Sequence, residues 1–415
     1  MLRFQYVSCQ FDVLRDLQGQ RAIREALKDL PDGLDATYDR ILQSIHYNYR
    51  KQVANTLKWL AFSLRPLVVE ELAEIFILDH DRNPPFDEGD RLFRPESVLN
   101  HLSSLVTKDP IGEVFWIRLA HFSIKEYLIS PRIVQGPAKY FSTTEVDAHM
   151  HISEACSAYH LHLSLTILVT EKESKRFALW KYLRQYWVHH LDQVPQKSWR
   201  LPATDMALQV FAPSSQSLLN MIRLSDPETH GSPNWDLNLS QLAGPLYYMA
   251  SIGAVQLAEF LLDGGYNINE QSDTTYGIAL ITAACGGHTS VVQLLLDRGA
   301  DINAQGGSYG NALQIAVFRR HESIVQLLLD RGADINAQGG RFGNALLAAI
   351  AGDKLDSAEL LLSWDAEVDL PGPQWEELLQ KLAEEWNDEK VDRLRKFQED
   401  PSGYIAATKA ARRIG

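Results

Sequence analysis

The chain has 415 residues, 45% hydrophobic and 22% charged, with 40 Lys and Arg against 53 Asp and Glu, for a formal net charge of −13. This is a soluble globular composition with length for about two or three domains, and the longest apolar run, roughly residues 161–169, is far too short to span a bilayer. The acidity argues against nucleic acid as the main ligand, because phosphate binding needs a basic face.

The N-terminus, MLRFQYVSCQFDVLRDL, alternates apolar and charged residues too quickly for a signal peptide. Cys9, Cys156 and Cys285 are scattered and have neither metal-ligand spacing nor a disulfide framework, which fits a reducing compartment. Cytoplasm is the expected location, with the nucleus open.

Over residues 1–49, Ala22, Ile23, Ala26, Leu27 and Leu30 recur at helical spacing, and so do Leu34, Tyr38, Ile41, Leu42 and Ile45. The pattern predicts a helical hairpin broken at Pro31-Asp32-Gly33. Over 50–135, one helix carries Val53, Leu57, Trp59 and Leu60, and Pro66 precedes a short helix with Glu70, Glu71 and Glu74. A further helix begins at Leu99 and runs into a strand, Asp109-Pro110-Ile111-Gly112 forms a turn between strand-like segments, and Ser123 to Ile129 is helical. Helices followed by a hairpin and another helix predict a winged helix. Its candidate DNA-reading helix, VVEELAEIF, is acidic, so no nucleic-acid partner is expected.

The segments ALKDLPDGLDATYDRIL, LKWLAFSLRPLVVEELAEI, SSLVTKD, RLAHFSIKEYLIS and, at 177–190, FALWKYLRQYWVHH together resemble the region that follows the nucleotide-binding domain in fungal NACHT–ankyrin proteins, which are STAND-type signalling ATPases. The resemblance implies a chain that begins just after the nucleotide-binding core. GxxxxGK[ST] occurs nowhere, so there is no phosphate-cradling loop, and no cofactor is expected. In related proteins a winged-helix histidine reaches the nucleotide's phosphates. The resemblance places that role on His121, only if a separate nucleotide-binding chain is present, and Phe122 stands where the motif has an acid. Without such a chain, His121 reads as a partly buried structural histidine.

Residues 136–235 read as a helical connector punctuated by Pro195, Pro202, Pro213, Pro227 and Pro233. The pairs His149/His151, His160/His162 and His189/His190 lie one or two residues apart, so neither member shares a helix face with the other. No cysteine or carboxylate stands at zinc spacing from them, and no metal site is expected.

From residue 236 a period of 33 governs the chain. VVQLLLDRGADINAQGGSYGNAL at 291–313 returns as IVQLLLDRGADINAQGGRFGNAL at 324–346. Gly244, Gly277, Gly310 and Gly343 keep the step, as do Leu262, Leu295, Leu328, Leu361 and Leu394, and Leu280, Leu313, Leu346 and Leu379. Two short helices and a projecting hairpin per 33 residues make the ankyrin repeat. Gly299 and Gly332 end second helices. Asn303 and Asn336 serve loop backbone groups. Asn311 and Asn344 replace the usual Thr-Pro-Leu-His opening and are competent N-caps. About four repeats are expected over 236–370, a degenerate capping repeat over 371–400, and a flexible tail over 401–415. The fold class is therefore mainly α, a helical and winged-helix N-terminal half joined to an ankyrin α-solenoid.

Ankyrin stacks bind through hairpin tips and the concave face of the first helices. The partner-binding candidates are Tyr276, Ser308, Tyr309, Arg341 and Phe342 on hairpins, and Phe318, Arg319 and Arg320 at the end of a first helix. Tyr276, Tyr309 and Phe342 themselves repeat at 33, which points to a shared part in shaping the loop. Phe318-Arg319-Arg320 breaks the repeat and is the better functional choice; replacing Phe318 and Arg319 with alanine is expected to weaken binding and leave stability nearly unchanged. The function read is a non-enzymatic scaffold or adaptor that binds a protein partner in fungal signalling or regulation. A nuclear ankyrin-type co-regulator and a regulatory subunit of a separate STAND ATPase are the alternatives. No catalytic residue is expected, because no segment has a nucleophile signature.

Overall fold

The computed structural model describes residues 33–366, apart from 112–113, 165–166, 213–214, 230, 353 and 365, together with 395, 396, 399, 400 and 403. The first predicted helix, Leu379, Leu394 and nearly all of the capping repeat and tail lie outside the described residues. The protein is mainly helical with one small sheet, and it divides into two compact units.

The first unit comprises residues up to Phe211 and Asn220–Leu224. Helices α1 (Leu34–Ser44) and α2 (Arg50–Phe62) lead to strand β1 (Leu67–Val68) and helix α3 (Val69–Ile77). Strands β2 (Val106–Ile111) and β3 (Val114–Leu119) pair antiparallel with Lys108 opposite Ile117, and β1 joins the other side of β3 with Leu67 opposite Ile117. The order β1-β3-β2 makes β2 an edge strand, which is why Pro110, with no N–H to donate, sits inside it rather than ending it. Helix α4 (Phe122–Leu128) follows.

Of the three acids of α3, Glu70 is exposed, whereas Glu71 and Glu74 point inward. Glu71 is fully buried, binds Arg65 through both oxygens at 2.6 and 2.8 Å, and accepts the N–H of Val68 at 3.0 Å, closing the first turn as a capping-box acid does. Glu74 takes Arg91 at 2.9 Å, the Tyr159 hydroxyl at 2.7 Å and the N–H of Leu179 at 2.9 Å. A helix that reads as a charged surface is thus an anchor for the segment around residue 179.

That anchor corrects the connector reading of 136–235. Helices α5 (Glu145–Ser164) and α6 (Trp180–Asp192) form the centre of this unit, with Tyr159, Trp180, Tyr182 and Trp187 almost wholly buried. Helix α7 (Leu201–Val210) packs on α5. Buried faces of α5 also carry His149, His151, Ser153, Glu154, Ser157 and His160. With polar groups inside on every side, no apolar stripe betrays the burial.

The second unit holds Ala212–Leu219 and everything from Ser225. Its helices come in pairs: α8 (Pro245–Ile252) with α9 (Val255–Asp263), α10 (Ala279–Gly286) with α11 (Thr289–Asp297), α12 (Ala312–Arg319) with α13 (Glu322–Asp330), and α14 (Ala345–Ala351) with α15 (Leu355–Ser363). The period needs one adjustment. Leu295, Leu328 and Leu361 are fully buried, and in the first pair their counterpart is the fully buried Leu261, not Leu262. Helix α9 starts 34 residues before α11, whereas the later second helices start 33 apart, so the connection after α9 holds one extra residue.

Side chains staple each repeat to the next. His288 donates to the carbonyl of Ser251 and His321 to that of Cys285, both at 3.0 Å. Asn269 accepts the N–H of Asp301 at 3.0 Å and Asn303 that of Asp334 at 2.8 Å, so these asparagines reach across to the neighbouring loop. Gly299 and Gly332 are left-handed at φ 88 and 84. Asn311 and Asn344 cap α12 and α14 as the sequence predicts, accepting from the N–H of Gln314 and Leu347 at 2.9 Å.

Candidate functional site

The hairpins of the second unit are knit into a continuous edge. Ser308 N–H donates to Thr275 O, and Arg341 N–H donates to Ser308 O, each at 2.9 Å. Bridges between Gly306 and Gly310 and between Gly339 and Gly343 close two of the tips. Gly310 has φ 83, and a Cβ there would overlap Oε1 of Gln314, so only glycine fits.

The residue before each of Gly277, Gly310 and Gly343 is aromatic, and the three rings form a row. Tyr276 and Tyr309 stack with centroids 5.5 Å apart, and Tyr309 and Phe342 follow at 5.9 Å. Phe318, from the end of α12, stacks on Phe342 at 4.6 Å and lies 6.2 Å from Tyr309. Arg341 lies over Tyr309 and Phe342, 5.4 Å from each ring centre, within cation–π range. Arg319 donates to the Tyr276 hydroxyl at 3.3 Å. Burial, followed by the neighbouring Cys285 thiol, pushes that hydroxyl up to about 12, so Tyr276 stays neutral.

Seven of the eight sequence candidates therefore belong to one cluster or its backbone edge. Two expectations change. Phe342 is only 1% exposed and is unavailable to a partner, because Phe318 and Arg341 cover it. Phe318 is half-buried against Phe342 and so cannot be truncated without loss of packing; Phe318→Ala is expected to cost about 1–2 kcal/mol rather than nothing. Tyr276, Tyr309 and Arg341 are half-buried, whereas Ser308, Arg319 and Arg320 are exposed.

Arg320 stands apart. It is the C-cap of α12 in the left-handed region at φ 65, where the corresponding caps of α8 and α10 are Gly253 at 75 and Gly287 at 76. An L side chain in that conformation costs roughly 1–2 kcal/mol. Arg320→Gly is therefore expected to raise stability by about 1 kcal/mol, read as a higher urea midpoint at unchanged slope. A site that keeps a strained arginine where its neighbours have glycine is a functional candidate by physical argument.

In the other unit, His121 is the N-cap of α4 and is half-buried. Its Nδ1 accepts from Ser123 N–H at 3.2 Å and lies 2.7 Å from Ser123 Oγ, which in turn meets the Tyr38 hydroxyl at 2.8 Å. The histidines that are close in sequence are not the ones that meet. His149 Nδ1 lies 2.8 Å from His190 Nδ1, and His80 packs against His151 at 4.9 Å. Among the described residues no group of three or more His, Cys, Asp or Glu is placed to hold a metal, and no helix is long and apolar enough to cross a membrane.

Residues 246–339 match the family model for ankyrin repeats, in three copies. These residues are ankyrin repeats. An alignment of 293 positions that covers 66% of the chain is 36% identical to the azaphilone pigments biosynthesis cluster protein L of Monascus ruber. The chain spans 61% of that protein's length. Ankyrin stacks present an extended surface and bury their own helices in one another, and the clustered rings and arginines described above lie on such a surface.

Proposed function

We propose that this protein is a non-catalytic interaction scaffold whose ankyrin repeats hold a protein partner against the hairpin edge and the end of α12. The observation that carries the reading is Arg320, an exposed arginine held in left-handed geometry two residues after Phe318, which packs on the aromatic row. Buried arginine and aromatic anchors dominate binding energy at protein interfaces. Affinity purification with the full chain and with an Arg319→Ala/Arg320→Gly variant tests it. The expected result is a specific protein recovered with the wild type and depleted with the variant; equal recovery with both would assign the surface elsewhere.

The order of elements in the first unit, two helices, a short strand, a helix, and a β-hairpin followed by α4, supports a winged-helix reading. With the motif resemblance, it favours a STAND-type regulatory protein. The relative's name adds a second reading of the setting: a fungal protein acting beside the products of a pigment biosynthesis cluster. In that setting the partner is a protein of the same cluster, and deleting the gene changes product levels without removing any one chemical step.

A further inference from the structure

The repeats sort their charges by face. On the second-helix side, arginines are matched with acids: Arg298 binds Glu259 at 2.9 Å and Asp263 at 2.6 Å, and Arg331 binds Asp297 at 2.9 Å. At the end of α12 the arrangement differs. Arg319 reaches the Tyr276 phenol and the Cys285 thiol but no carboxylate, and Arg320 makes no ion pair among the described residues. In a chain with 53 acids against 40 bases, two adjacent exposed guanidiniums without a carboxylate are an uncommon arrangement. The backbone raises its significance, because relaxing Arg320 to glycine would remove strain.

The Arg319 guanidinium is also oriented. Arg319 is held by Tyr276, which is stacked on Tyr309. The backbone from which the Arg320 side chain leaves is fixed by its cap geometry, its N–H donating to Val317 O at 3.0 Å. A planar, preorganised guanidinium suits a carboxylate bidentately, and the half-buried rings of Tyr276, Tyr309 and Phe318 alongside offer apolar contact to the flanking side chains. We propose that this face takes an extended acidic segment of a partner protein, with its carboxylates on Arg319 and Arg320 and its apolar side chains on the aromatic row. The inference rests on the docking reading above and adds the chemistry of what docks.

The test is selection of a random phage-displayed peptide library on the full-length protein, followed by titration of the enriched peptides against wild type, Arg319→Ala, Arg320→Gly and Phe318→Ala. Enriched peptides are expected to carry net negative charge and at least one apolar residue. Each arginine substitution should weaken them roughly tenfold, and binding should weaken as salt rises. Arg320→Gly excludes misfolding as the cause, because it is expected to melt higher than wild type while binding more weakly. A phosphopeptide or duplex DNA that displaces the enriched peptides through the same arginines while unphosphorylated acidic peptides fail would overturn the assignment to carboxylates. Enrichment of neutral or basic peptides that respond to Phe318→Ala would sink the acidic-partner inference and leave the docking face standing. Peptides indifferent to all three substitutions, or no enrichment at all, would remove the docking face as well.

Discussion

Acidification from pH 7.5 to 5 is expected to lower the unfolding temperature of the first unit by roughly 5–15 °C, with its buried tryptophans Trp59, Trp180 and Trp187 as fluorescent reporters. The cause is a proton-limited network. Leu64 N–H donates to the Tyr182 hydroxyl at 3.0 Å, and that hydroxyl lies 2.6 Å from His190 Nε2. In the tautomer where Tyr182 donates to Nε2, His190 carries its proton on Nδ1, and Nδ1–H donates to His149 Nδ1 at 2.8 Å. A further proton on His149 Nδ1 would set two N–H groups face to face.

Around the pair stand Glu145, 3.9 Å from His149, with Lys125 and His189 as the further charges and Phe62 as an apolar wall. Burial, then His149 and His189, hold His190 down to about 3. Burial also lowers His149, His80 and, well below the ordinary value, His151. The sign follows from proton counting. Below about pH 6.5 the unfolded chain protonates these imidazoles and the folded chain does not, so stability falls as pH falls. At pH 5 the loss is about 2 kcal/mol for His190 alone. Glu74 and Glu154 act oppositely: burial raises both, so their protonation favours the fold as pH drops and offsets part of the loss. His190→Gln should be less stable at pH 7.5 and should lose less on acidification. The same fall in variant and wild type would exclude the pair as the source.

Periodicity made one half of the molecule readable and left the other opaque. Repeats placed Leu295, Leu313, Leu328 and Leu346 in the core and Asn311 and Asn344 at helix starts, because a stack of equal units writes each burial requirement several times. The extra residue after the first pair was invisible because adjacent leucines, Leu261 and Leu262, both fit the pattern. In α5 and α6 no repetition helps. Pairs such as His149–His190 and Glu74–Tyr159 bridge 41 and 85 positions, and a polar residue aimed at a distant polar residue looks the same in sequence as one aimed at water. At the docking face, Arg320 stood out as a departure from the repeat, but its left-handed backbone became legible only beside the caps Gly253 and Gly287.

Gln314→Leu is expected to destabilise the repeats by about 3 kcal/mol, although leucine is the better apolar residue and a good helix former. Gln314 is completely buried and serves both ends of its amide. Its Oε1 accepts the N–H of Asn311 at 3.0 Å. Its Nε2 faces the carbonyls of Ala337, Gly339 and Gly343 at 3.3, 3.2 and 3.0 Å, holding the next hairpin against the start of α12. Leucine would leave the Asn311 amide and the Ala337 and Gly339 carbonyls without these partners, whereas Gly343 O would still accept from Gly339 N–H at 2.7 Å. The same position is Ile281 one repeat earlier and Leu347 one repeat later, both buried, so the repeat pattern alone would rate the change as harmless. Because stability in a stack depends on coupling between neighbours, the loss should be local. Amide hydrogen exchange is expected to accelerate over residues 337–343 and at Asn311, and much less around His288. Uniform acceleration through all four helix pairs would mean that the substitution acts through core volume, and that the amide does not hold the hairpin.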